Sequence, residues 1–202
     1  IDLCPVGALT SKPYAFISRP WELSKTESID VMDAQGSNIR IDSRGNQVLR
    51  VMPRLNEDVN EEWISDKARF SIDGLKNQRL DRPYVRGANG KLEPASWDMA
   101  FGVIAKKIKK VKPSNFGVIV GDQVDTETMF AMKLLMEKIG SPHIDCRQDG
   151  VDITGSSRTE YLFNSTIAGI DETDTILIIG SNPRFEAPVM NARIRKRYLV
   201  AE

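Results

Sequence analysis

The chain has 202 residues, 41% hydrophobic and 28% charged, with 28 basic and 28 acidic side chains. That length and composition describe a globular protein of one or two domains, and the cancelling charges exclude a field that would favour nucleic acid or an anionic membrane surface. No apolar run approaches the roughly 20 residues of a membrane-spanning helix, and the two cysteines, Cys4 and Cys146, are too few for a secreted disulfide scaffold. A reducing compartment fits better, and pairing of the two thiols stays open.

Residues 1–20 read as irregular, punctuated by Pro5, Pro13 and Pro20. Residues 37–42 and 47–52 alternate polar and apolar, the period of half-buried strands, around hairpin-turn chemistry at Ser43-Arg44-Gly45-Asn46. A small β-rich module over about residues 25–75 follows. An acidic connector (57–62) comes next, and 77–94, rich in Arg, Gly, Asn and Pro, reads as a surface loop or linker.

From Ser96 the period changes. Trp97, Phe101, Ile104, Ile108 and Val111 fall on one helical face, with Ser96 as N-cap. Residues 116–120 form an apolar run expected to be a strand buried on both faces. A second helix is expected over 126–139, opened by Asp125 and Glu127 and stopped by Gly140. A short strand is expected near His143, a further buried strand over 175–179, and a third helix over 187–200 with Pro188 in its first turn. Strands alternating with helices at these lengths predict an α/β fold with a parallel sheet. Ile1 in place of Met, and a helix running towards Glu202, read as an excerpt of a longer protein.

Two places carry candidate chemistry. Cys4-Pro5 is the step that closes a bacterial ferredoxin ligand run: the thiolate binds iron and proline fixes the following turn. Alone, the dipeptide is weak evidence, and a buried structural thiol is its default reading. Gly180-Ser181-Asn182-Pro183 follows the expected 175–179 strand, at the sheet edge where open α/β folds bind ligands, with Arg184 and residues 193–197 adding positive charge. No G-x-G-x-x-G or G-x-x-x-x-G-K-[ST] loop accompanies it. Lys106, Lys107, Lys109 and Lys110 read as the solvated side of a helix. His143, the one histidine, reads as structural, and Met129, Met132 and Met136 read as core.

The segment Asp2-Leu3-Cys4-Pro5-Val6-Gly7-Ala8-Leu9-Thr10-Ser11-Lys12-Pro13-Tyr14, continued by Arg19-Pro20-Trp21-Glu22, resembles the end of the ferredoxin-like region in the large iron–sulfur subunit of respiratory complex I (NADH:quinone oxidoreductase). The resemblance implies that Cys4 is the fourth ligand of a [4Fe-4S] cluster in an intact subunit. The other three ligands, and further clusters including a [2Fe-2S] centre, would lie upstream. Arg79-Leu80, Arg82-Pro83-Tyr84-Val85-Arg86, Ser96-Trp97-Asp98 and Gly180-Ser181-Asn182-Pro183 resemble steps of the molybdopterin oxidoreductase superfamily. Active members hold a cluster in a small four-cysteine domain, ending in a C-x-K-G-R-F-like step. Here that step is Ser65-Asp66-Lys67-Ala68-Arg69-Phe70, and no cysteine occurs between residues 5 and 145.

The resemblance therefore implies three parts: residues 1–20 as the tail of the ferredoxin-like region, 21–76 as a small β-rich domain without a cluster, and 77–202 as the start of an α/β domain of molybdopterin oxidoreductase type. It implies an electron-transfer and scaffold role in the peripheral arm, with no molybdenum cofactor and no catalytic residue. The implied partners are other peripheral-arm subunits, including the flavin-binding NADH dehydrogenase subunit, on the cytoplasmic or matrix side of the membrane. The rival reading, an active formate dehydrogenase-like enzyme, requires the missing cysteine set.

Overall fold

The computed structural model describes residues 4–146, 150 and 155–200. In chain order its elements are β1 (Ser24–Ile29), β2 (Asn38–Arg44), β3 (Gln47–Pro53), α1 (Asp66–Phe70), β4 (Tyr84–Arg86), β5 (Leu92–Pro94), α2 (Trp97–Ile108), β6 (Gly117–Ile119), α3 (Thr126–Ile139), β7 (His143–Asp145), α4 (Pro183–Glu186) and α5 (Pro188–Val200), with short 3₁₀ turns between some of them. The contacts divide into two compact units, residues 1–78 with 162–202, and residues 79–161.

The first unit is built on the antiparallel sheet β1-β2-β3. The predicted hairpin is present: β2 and β3 pair from Ile39↔Pro53 to Arg44↔Gln47, with a bulge at Asp42/Ser43. Gly45 turns the chain at φ 56°, a left-handed conformation that costs glycine nothing. Ile39, Leu49 and Val51 are buried, with Leu23, Ala68, Ile170 and Val189. Burying an aliphatic side chain contributes about 1.5–3 kcal/mol, so these few residues carry most of the unit's apolar stabilisation.

Polar groups fix the rest. Asn60, 1% exposed, accepts the Asn38 N–H at 2.9 Å and donates to the carbonyls of Arg54 (3.1 Å) and Trp63 (3.0 Å). It therefore pins the loop after β3 to the start of β2. Helix α5 joins the same loop through Arg193, which is 5% exposed. Its guanidinium pairs with Asp171 at 2.6 Å and Glu61 at 3.7 Å, and donates to the Glu57 carbonyl at 2.5 Å.

The second unit carries the parallel pair β6–β7, in register from Gly117↔His143 to Ile119↔Asp145, and the antiparallel pair β4–β5. Ser96 caps α2 by accepting the Met99 N–H at 3.3 Å. Asp125 caps α3 by accepting the Thr128 N–H at 2.7 Å, and Gly140 ends it at φ 80°. Met136 is 1% exposed, Met129 and Met132 are half-buried, and the four lysines and His143 lie exposed.

Three expectations need correction. Residues 175–179 form no strand, and Leu177 and Ile179 are 81% and 80% exposed. The run is apolar enough for a buried strand, but no described strand pairs with it. Trp97, Phe101 and Ile104 of α2 are exposed, while Ala100 between them is buried; the two-stranded sheets of this unit are too narrow to cover the helix's whole apolar side. For the same reason β6 is not buried on both faces: Ile119 is 72% exposed and only the adjoining Val120 is buried.

Candidate cluster-ligand site

Cys4 opens a tight turn that continues through Gly7 at φ 68°. The turn wraps backbone amides around the sulfur, and the Leu9 N–H points at Sγ from 3.4 Å. The Leu9 and Val6 amides, helped by those of Ala8 and Gly7, outweigh the modest burial and hold the thiol below its ordinary value. Amide hydrogen bonds favour the thiolate, the form that binds iron.

The Cys4 segment lies along one side of a cleft of about 970 Å³ whose walls include Tyr14, Arg44, Arg50 and Arg69. Tyr14 donates its hydroxyl to the Ser18 carbonyl at 3.0 Å, and its ring lies under the Arg50 guanidinium, 4.5 Å from the ring centre. Arg50 is held in turn by Asp42 of β2, 2.7 Å from Nε. Asp42 is fully buried and also pairs with Arg40 at 2.8 Å. Farther along the segment, the Glu22 carboxylate accepts the Ser18 hydroxyl at 2.7 Å and stands 3.8 Å from Arg44. The irregular stretch bearing Cys4 is thus fastened to the sheet by stacking and charge rather than by strand pairing. Sequence reading found Cys4 but missed Tyr14, Arg50 and Asp42; the signal for the carboxylate is an acidic residue inside an alternating strand with arginines two before it and eight after it.

The other candidate positions fall elsewhere. Ser65, standing where a cluster thiol would be, is 4% exposed and caps α1 by accepting the Ala68 N–H at 3.1 Å. Its oxygen has a structural duty. The loop at 180–184 directs its donors inward: the Ser181 hydroxyl and the Asn182 N–H both go to the Glu186 carboxylate, at 2.7 and 2.9 Å. Glu186 thus takes two donors that an anionic ligand would need. Arg193 and Arg197, read from sequence as positive charge for that loop, are committed to Asp171, Glu61, Asp174 and backbone carbonyls. Cys146 is exposed. Among the described residues no three His, Cys, Asp or Glu side chains converge as metal ligands.

This combination, a lone amide-wrapped thiol before a cysteine-free sheet domain and an α/β region after it, has a counterpart among known proteins. Residues 79–202 match the molybdopterin oxidoreductase model, and the chain belongs to that family. Within it, the likeness is to one kind of subunit. Residues 23–73 match the NADH-ubiquinone oxidoreductase NDSU1/NuoG-like 4Fe-4S domain, although this stretch holds no cysteine. Over 197 residues the chain is 57% identical to an NADH-quinone oxidoreductase subunit of Rickettsia conorii, covering 98% of this chain and 29% of that protein. It is 56% identical over 207 residues to the mitochondrial NADH-ubiquinone oxidoreductase 78 kDa subunit of Candida albicans, covering 98% and 28%. The mitochondrial NADH dehydrogenase [ubiquinone] iron-sulfur protein 1 of Solanum tuberosum is 53% identical over 196 residues, covering 97% and 27%. The chain thus spans less than a third of the length of these relatives. No helix among the described residues is long and apolar enough to cross a membrane.

Proposed function

We propose that this chain is an electron-relay and scaffold segment of an NADH:quinone oxidoreductase, in which Cys4 supplies one thiolate to a [4Fe-4S] cluster. The observation that carries the reading is the Cys4 turn, whose amides converge on Sγ and favour the thiolate. A cluster bound there would accept and pass single electrons between NADH-derived flavin and quinone. The chain's own part is to present one sulfur, supply amide hydrogen bonds to it, and hold the segment against the sheet through Tyr14, Arg50 and Asp42. One thiolate does not hold four irons, so the remaining ligands must come from outside this sequence.

The division at residues 1–20, 21–76 and 77–202 rests on β1 starting at Ser24 and on the family matches over 23–73 and 79–202; the contacts divide the chain differently, grouping residues 162–202 with the sheet unit and leaving 79–161 apart. Partners would be neighbouring peripheral-arm subunits, the flavin-binding one included, on the cytoplasmic or matrix side of the membrane. The relay is checked by rapid freezing of the assembled enzyme after mixing with NADH. The centre that depends on Cys4 should be reduced before quinone is. A centre that stays oxidised through turnover would remove it from the relay.

A formate dehydrogenase-like activity is disfavoured by the cysteine-free domain and by the pledged donors at 180–184. Calorimetry with a guanine nucleotide or a pterin analogue should detect no heat of binding at the loop. Micromolar affinity, about 8 kcal/mol of binding free energy, would require Glu186 to swing away and would restore the ligand-site reading.

A further inference from the structure

Residues 30–37, the connection from β1 to β2, form a small loop closed by the Asp30 N–H donating to the Ser37 carbonyl at 2.8 Å. Continuing the pairing Ile29↔Asn38 sets Asp30 opposite Ser37, with the two side chains on one face. Each aspartate commits one oxygen to the loop itself. Asp30 Oδ1 accepts the Met32 N–H and Asp33 Oδ1 accepts the Gln35 N–H, both at 3.0 Å. Gln35 donates its amide to the Val59 carbonyl at 2.7 Å, which fixes the direction of its own oxygen.

Four buried oxygens remain without a hydrogen bond: Asp30 Oδ2, Asp33 Oδ2, Gln35 Oε1 and Ser37 Oγ. Asp30, Gln35 and Ser37 are 4%, 5% and 1% exposed. Buried polar atoms are almost always satisfied in native proteins, and here the four orphans come from one eight-residue loop. They are also of one kind, since carboxylate and amide oxygens only accept and a hydroxyl can accept. Acceptors without a hydrogen-bond donor are satisfied by water, by a proton or by a positive charge.

The surroundings do not supply one. No described ion pair involves Asp30 or Asp33. Lys67 acts on Asp30 from a distance, while its ammonium donates to the Glu186 carbonyl at 3.2 Å. Arg54 is engaged through its two Nη atoms by Asn38 and Glu27, and its buried Nε has no partner; Asn38 follows Ser37 on the opposite face of the chain. Burial pushes the Asp30 carboxyl upward, and the Asp33 charge adds to this, so a proton is the competing occupant.

We propose that the loop 30–37 binds a hard, oxygen-seeking metal cation through Asp30, Asp33, Gln35 and Ser37. Two carboxylates with neutral oxygens suit Ca²⁺, which takes six to eight oxygen ligands in flexible geometry and completes its shell with water. The absence of sulfur and imidazole from the set disfavours zinc and copper. The site is independent of Cys4 and of the cluster reading.

The test uses the intact protein stripped with a chelator at pH 7.5, where Asp30 competes least with protons. Thermal unfolding is followed in CaCl₂, MgCl₂ and KCl, each matched in ionic strength with choline chloride. The expected result is a saturable rise in Tm of about 4 °C or more with one of these ions, largest with Ca²⁺. In Asp33→Asn the rise should need about tenfold more cation, because a ligand charge is lost; in Ser37→Ala it should shrink. Asp33 is half-buried, so its variant is the one least prone to misfold, and either variant alone decides the matter. A Tm indifferent to all three ions overturns the proposal. So does a rise that either folded variant keeps unchanged, which would put the ion elsewhere.

Discussion

With Cys4 as the cluster ligand proposed above, replacing it with serine in the assembled enzyme should remove one [4Fe-4S] signal from the low-temperature EPR spectrum and leave the sheet domain folded. The two halves of this result have separate physical causes. The signal depends on the sulfur, because a neutral hydroxyl ligates iron far less readily than the thiolate that the Leu9 and Val6 amides favour. The fold does not depend on it. Cys4 is only half-buried, and the amides that reach its sulfur, led by those of Leu9 and Val6, all lie in its own turn. The core residues Leu23, Ile39, Leu49 and Val51 come later in the chain. Circular dichroism and thermal unfolding of the variant should therefore match the parent within about 0.5 kcal/mol, the usual size of a surface change. An EPR spectrum identical to the parent's would show that Cys4 is no ligand.

How much of this was readable in the residues divides along physical lines. The β2–β3 hairpin and helices α2 and α3 were legible because alternation, a turn glycine and capping side chains are local signals, and each is in place here. Strand β1 was not. Ser24-Lys25-Thr26-Glu27-Ser28-Ile29 is polar on both faces and lies at the edge of the sheet, exposed along most of its length, so no hydrophobic period marks it. The stretch 175–179 failed in the opposite way. An apolar run reports that a segment seeks burial, not which neighbour provides it, and no described strand lies beside this one. At the site, Cys4-Pro5 was found by resemblance, since a single thiol has no spacing to read. Its anchor, Tyr14 to Arg50 to Asp42, joins residues up to 36 positions apart through the β2–β3 register, a relation that one-dimensional pattern does not carry. Glu186 was missed because its role, filling its own loop, is visible only once the turn at 180–186 is closed.

Asp42 is where the largest loss of stability is expected. Its side chain is 0% exposed and binds two guanidinium groups, Arg40 at 2.8 Å and Arg50 at 2.7 Å. Removing the carboxylate leaves Arg40 and Arg50, 31% and 19% exposed, without their partner but partly hydrated, so the cost falls below that of a fully buried pair, about 3–5 kcal/mol. Asp42→Ala should therefore lose about 2 kcal/mol in urea unfolding, a large share of a small domain's stability. Asp42→Asn keeps the shape and one acceptor oxygen, and should lose less. The same carboxylate sets an acid limit. Burial pushes its pKa up, but the hydrogen bonds and charges of Arg40 and Arg50 together outweigh it, and the net shift is downward from 3.8. A carboxyl held below its unfolded value stabilises the fold above that value. The contribution is fully present above about pH 5, and it disappears as pH falls below 4 through the depressed folded-state value. The parent should lose stability steeply below pH 4, and Asp42→Asn, which has no proton to gain there, should show a shallower acid limb. Loss of the carboxylate should also free Arg50 from Tyr14 and loosen the segment that carries Cys4. Faster amide exchange at residues 11–18 in Asp42→Asn than in the parent would report that loosening; unchanged exchange would mean that Glu22 and Arg44 hold the segment without it.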